Sequence, residues 1–227
     1  MKLYDFPWGP YPLRISIYLA EKGLSDVEVL KLEPPLDKKD WPPPFLKALT
    51  PAGSLPIVVD DDGTVIGQSL AILEYLEETK PGPDMLGATP RMRARTREMV
   101  AVFDEAIAFF GLWSRHGSDL NEGIIKKSHD AAAIGAERYG QKLRIAERMT
   151  GDSPFLTGDE VTIADCVAMA TLQFTRQFYG VPIPADCPRL AAWYERFSKR
   201  ASAPAPKFPE DQLALAYGLP EQTGITI

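Results

Sequence analysis

The sequence predicts an α/β unit followed by an all-helical unit, and three observations carry that reading. Strand and helix patterns alternate over residues 1–80. A Pro- and Gly-rich break then runs from Lys80 to Gly87. Beyond it apolar residues recur at three- and four-residue spacing, and no strand pattern returns. The expected division is therefore residues 1–80 and residues 88–227.

In the first unit, Met1 to Asp5 reads as a short apolar strand. Pro12 to Gly23 reads as a helix, with proline in its first turn and glycine at its end. Val27 to Leu32 alternates as a strand. Pro56 to Val59 and Thr64 to Ile66 read as two more, joined by Asp60-Asp61-Asp62-Gly63. That acidic run is a hairpin turn by its Asp-Gly ending; it lacks the spacing and distal glutamate of a calcium loop. Ser69 to Thr79 closes the unit as a helix with Ile72, Tyr75 and Leu76 on one face. The order is strand-helix-strand, a connecting segment, then strand-strand-helix.

The second unit carries four apolar stripes: Met99-Phe103-Ala106-Phe110-Trp113, Ala136-Tyr139-Leu143-Ala146, Ile163-Val167-Ala170-Phe174-Phe178 and Leu190-Trp193-Tyr194-Phe197. Stripes at helical spacing are core by default. Thr162 and Asp165 stand three apart at the head of the third stripe, as a capping box requires, so Asp165 is structural. Ala201 to Ile227 is proline-rich and aperiodic, and is expected to be a surface or disordered tail.

The chain has 227 residues, 45% of them hydrophobic and 25% charged, with a net charge of −6. Such a balance argues against a nucleic-acid binder. No apolar run reaches the length of a membrane span, and the N-terminus reads as a strand and not a signal peptide. Cys166 and Cys187 form no Cys-x-x-Cys pair, and His116 and His129 are the only histidines. A disulfide framework, a zinc site and a thioredoxin-type redox centre are all unsupported, two histidines remove most metal and triad mechanisms, and a reducing cytoplasm is the expected setting.

Two motifs point to a ligand. Pro56 opens an apolar strand and cannot donate to a sheet, so it marks a strand end or special turn. A cis Leu55-Pro56 peptide would leave the Leu55 N–H and C=O free for an extended ligand. Gln68 and Ser69 stand at a helix N-terminus, where unpaired amides and the helix dipole favour an anion. A grip on a peptide backbone beside a grip on a carboxylate fits a small peptide such as glutathione.

Four segments in order, Leu19 to Leu24, Thr50 to Pro56, Gln68 to Thr79 and Gly158 to Asp165, resemble the cytosolic glutathione transferase superfamily. Gln68 to Thr79 is similar to the zeta class in particular. The resemblance implies a thioredoxin-like first domain and a C-terminal helical bundle in a cytoplasmic homodimer without metal. It implies that Leu55 and Pro56 meet the cysteinyl unit of glutathione, that Gln68 and Ser69 hold the γ-glutamyl carboxylate, and that Trp41 covers the glycyl end. An apolar electrophile would lie near Trp8, Pro10, Phe110 and Trp113, with Phe109, Phe178 and Tyr179 as further aromatic candidates. The implied reaction is addition of the glutathione thiolate to a small apolar electrophile. The alternatives are a glutathione-dependent cis-trans isomerase of the maleylacetoacetate isomerase type, or a non-catalytic glutathione-binding interaction protein.

The loop from Phe6 to Arg14 departs from the family. It holds neither the hydroxyl of the tyrosine and serine classes nor the zeta Ser-Ser-Cys run, and one alignment puts Asp5 at the tyrosine position. Tyr11, between Pro10 and Pro12, remains as the candidate thiolate-stabilising group, through its N–H or its hydroxyl; the competing reading is that it only lines the pocket. Arg14 is read as an electrostatic aid or a surface or interdomain ion pair. Arg115 and Arg176 are read as solvated helix charges, with an acidic co-substrate as the alternative.

Overall fold

Four strands form one mixed sheet in the computed structural model, which describes residues 1–35 and 39–227. β1 (Lys2–Asp5) runs parallel to β2 (Glu28–Lys31) and antiparallel to β3 (Ile57–Val59), and β4 (Val65–Gly67) completes the order β2-β1-β3-β4. These directions decide where loops meet. The ends of β1 and β2, the start of β3 and the end of β4 all lie at one edge of the sheet.

α1 (Pro10–Lys22) crosses from β1 to β2 and starts two residues before the predicted Pro12. Gly9 is its N-cap and Pro10 its first residue, so Tyr11 lies inside the first turn. Gly23 ends the helix in the left-handed region at φ 74°. α2 (Pro44–Leu49) was not foreseen. A proline run reads as stiff loop, yet Pro44 opens a helix where its missing N–H costs nothing. α3 (Ser69–Thr79) has the predicted bounds. The Asp60 to Gly63 segment is a turn, with the Gly63 N–H donating to Asp60 O at 3.0 Å and the Thr64 N–H to Asp62 Oδ1 at 2.8 Å.

The helical half comprises α4 (Pro90–Gly117), α5 (His129–Met149), α6 (Ile163–Gln173) and α7 (Pro188–Phe197). α6 runs on into a π-helical turn, Phe174–Phe178. The predicted stripes are buried apart from Phe174, which is half-exposed. Asp165 closes the capping box by accepting from the Thr162 N–H at 2.9 Å.

The expected tail is corrected. It contains α8 (Glu210–Ala216) and α9 (Leu219–Thr223), and it buries Ala216 and Leu219 completely. Both helices are shorter than two full turns, too short for a periodicity to register. Tertiary bonds hold them: the Ser118 hydroxyl donates to Leu215 O of α8 at 3.4 Å, and for α9 the Trp113 Nε1–H donates to Thr223 Oγ1 at 3.2 Å and the Asp119 N–H to Gln222 Oε1 at 3.1 Å.

α1 packs against α6 and joins the two halves. Lys22 Nζ donates to Glu77 Oε2 at 2.7 Å and to Pro83 O at 2.9 Å, and Arg200 grips Glu21 at 2.6 and 2.8 Å. Among the described residues no helix is long and apolar enough to cross a membrane.

Candidate active site

The sheet edge described above gathers the ligand motifs. The Leu55–Pro56 peptide is cis, and among the described residues the Leu55 N–H and C=O make no backbone hydrogen bond. Gly53, at φ 57°, carries the chain into it. A Cβ there would lie 3.1 Å from Pro42 Cγ, which sets the Trp41–Pro42 segment against the same loop. Trp41 is half-exposed.

Gln68 is the N-cap of α3 at φ 68° and ψ 117°, a conformation a non-glycine residue rarely holds without a functional reason. Its side chain is exposed and does not cap the helix, so a plain helix-cap role is removed. The Ile72 N–H is the first taken up, by Gln68 O at 3.0 Å. The amides of Ser69, Leu70 and Ala71 stay without a backbone acceptor among the described residues, pointing at whatever lies before the helix.

Ser69 is buried, and its Oγ accepts from Arg14 Nη1 at 3.2 Å. The same nitrogen donates to Asp104 Oδ1 on α4 at 2.7 Å. Arg14 is thus an interdomain ion pair, fully enclosed, with its Nε and Nη2 unpartnered. Its guanidinium also sits 4.7 Å from the centre of the Tyr11 ring.

At the start of α1, Pro10 and Pro12 have no N–H and the Leu13 N–H is taken by Gly9 O at 3.0 Å. The Tyr11 amide is the one free donor of that turn among the described residues. Burial pushes the Tyr11 phenol above its ordinary value, opposed by Arg14, so the hydroxyl stays a neutral donor.

A cavity of about 590 Å³ opens beside this turn, between the two halves. Trp8, Pro10, Tyr11 and Phe110 line it, together with Phe178 and Tyr179. Trp113 is corrected: it is completely buried and bonded to Thr223, and so belongs to the core, and Phe109 also lies outside the lining. Phe110 and Trp113 share one stripe of α4 and both are completely buried, but only Phe110 of the two reaches the cavity lining. The sequence reading missed Phe6, Phe174 and Gln212 of α8. Gln212 gave no signal, because its helix lies about 100 residues beyond the α4 wall it joins.

A wider cleft, about 710 Å³, lies between the 83–88 linker and the start of α6. It carries Glu21, Asp84, Asp159 and Glu160, and none of Leu55, Gln68, Ser69 or Tyr11 lines it.

Asp5, the alternative position for the activating hydroxyl, is 2% exposed, lies outside the cavity lining and has an unpartnered Oδ1. Burial pushes its carboxyl up from 3.8 to about 6, against the Phe6 N–H and Lys31. An acid whose folded pKa is raised holds its proton more tightly when folded. Its stabilising contribution is present below about pH 4 and is lost as the pH climbs through about 6. Between those limits the wild type should lose up to about 3 kcal/mol relative to Asp5→Asn. Urea unfolding of both proteins at the two pH values checks this; parallel pH profiles would refute it.

Comparison with known proteins follows the same outline. The family model for the glutathione S-transferase N-terminal domain matches residues 8–79, and that for the C-terminal domain matches residues 87–196. The chain is 30% identical to glutathione S-transferase 2 of Saccharomyces cerevisiae, over 89% of this chain and 87% of that one. It is 31% identical to maleylacetoacetate isomerase of Pseudomonas aeruginosa, over 92% and 99%. Among solved structures, a glutathione S-transferase domain-containing protein of Marinobacter aquaeolei superposes with a TM-score of 0.77 at 31% identity, covering 90% of this chain and all of that one.

Proposed function

The chain belongs to the glutathione S-transferase family, and from that premise we propose that it binds glutathione along the sheet edge and adds its thiolate to a small electrophile in the adjoining cavity. One observation carries the reading. The free backbone of Leu55, the open N-terminus of α3 and the Tyr11 turn share one edge of the sheet, and the aromatic cavity begins there.

Glutathione pairs its cysteinyl backbone with Leu55 beside Pro56. Its γ-glutamyl carboxylate takes the α3 amides and the Gln68 and Ser69 side chains, with Arg14 holding the Ser69 hydroxyl in place. Trp41 covers the glycyl end. The sulfur then lies at the start of α1, where the Tyr11 N–H, its hydroxyl and the helix dipole favour the anion. In a substitution the C–S bond forms as the leaving group departs with its electron pair, and the thiol proton goes to solvent. Trp8, Pro10 and Phe110 hold the apolar body of the electrophile. The protein works as a cytoplasmic homodimer with no nucleic-acid or membrane partner.

Tyr11→Phe should raise the pKa of the bound thiol by about 1 unit or more, the size of one hydrogen bond to a charged group. Thiolate absorbance against pH reads this directly; an unchanged curve excludes the hydroxyl. A second reading, glutathione-dependent isomerisation, is favoured by the likeness to maleylacetoacetate isomerase and by the Gln68 to Thr79 segment. Turnover of maleylacetoacetate without turnover of a chloronitrobenzene selects it. Retention on immobilised glutathione without either activity selects a binding protein.

A further inference from the structure

Electrostatics inside the cavity oppose those of the whole chain. The net charge is −6, yet among the described residues no Asp or Glu lines the cavity, and Arg115 is the one permanently charged side chain that does. The two arginines that the sequence singled out are separated by structure. Arg176 donates to Glu195 Oε1 at 3.2 Å and stacks 4.3 Å from the Tyr194 ring centre, so its charge is engaged. Arg115 has no hydrogen-bond or ion-pair partner among the described residues. It is exposed, and close enough to Tyr11 and Tyr179 to favour their ionised forms. The neighbouring His116, Asn121 and Gln212 add polar groups, and the ring of Phe174 stacks on Phe178 at 25° to make a flat apolar wall.

Resting on the transferase reading, we propose that the electrophile is an acid: a flat apolar body carried on the Phe174–Phe178 wall, with a carboxylate paired to the Arg115 guanidinium. An unpaired fork of N–H donors at the rim of an apolar cavity selects a planar anion over a neutral isostere. Arg115 is then a specificity-determining residue for the electrophile.

The test compares chlorodinitrobenzene with chlorodinitrobenzoate, which differs by one carboxylate. Both react by the same exchange, in which the ring C–S bond forms and chloride leaves with the electron pair. In Arg115→Gln the ratio of kcat/KM, acid over neutral, should fall about tenfold, the lower end for a hydrogen bond to a charged group. Arg115→Lys should restore part of it. A ratio equal to that of the wild type overturns the proposal. If the wild type is retained on immobilised glutathione but turns over neither compound, the transferase reading fails by itself. Calorimetric binding of dinitrobenzoate and dinitrobenzene then decides the anion: tighter acid binding that Arg115→Gln abolishes supports the site, and equal affinities for both overturn it.

Discussion

Asp165→Ala is expected to lower the unfolding free energy by about 4 kcal/mol, the sum of several buried donors left without an acceptor. Asp165 is completely buried. Its Oδ1 accepts from the Leu156 N–H at 3.0 Å and from Trp193 Nε1–H at 2.9 Å. Its Oδ2 accepts from the Thr162 N–H at 2.9 Å and the Thr162 hydroxyl at 3.1 Å. One carboxylate therefore ties the loop before α6, the first turn of α6 and the core face of α7. Burial raises its pKa and the four donors oppose that, so an acceptor is required there more than a charge. Asp165→Asn should be milder than alanine, because it keeps one acceptor and turns the other into a donor facing a donor. Urea unfolding measures both. Glutathione affinity of the folded protein should stay at the wild-type value, and a selective loss of affinity would contradict the structural role.

Gly135→Ala should cost about 2 kcal/mol net: overpacking of about 3 kcal/mol, less about 1 kcal/mol gained in helix propensity. A Cβ at Gly135 would lie 2.5 Å from Trp113 N and 2.8 Å from Phe109 O, both backbone atoms of α4 that cannot swing aside. Larger residues should cost more. The substitution also has a functional side, because the stretch of α4 it displaces carries Phe110 and Arg115 into the cavity. KM for the electrophile should rise in Gly135→Ala while KM for glutathione holds. A thermal melt with the two KM values checks this; a melt matching the wild type would sink it.

The reach of sequence reasoning follows the distance over which each feature is decided. Leu55–Pro56 and Gln68–Ser69 were legible because a proline at a strand start and small polar residues at a helix start are local facts. The capping box was legible for the same reason. Arg14 was harder: its ion-pair partner, Asp104, lies on another helix and its other partner on a third. Trp113 was misplaced because periodicity tells which residues share a face, not where that face meets a void. Phe174 was read as core, yet it stands where α6 gives way to the π-helical turn and faces the cavity. Gln212 and the short helices α8 and α9 were invisible, since they are held by bonds to α4 and the turn that follows it.

Arg14 has one more consequence. Through a single nitrogen it joins the serine that opens α3 to the carboxylate of Asp104, so the floor of the proposed glutathione site and the longest helix of the other half share a load. A ligand that immobilises Ser69 removes freedom from that nitrogen, and so stiffens the cleft between the halves before any electrophile enters. On the proposed reading, the first substrate is also a brace for the second one's chamber.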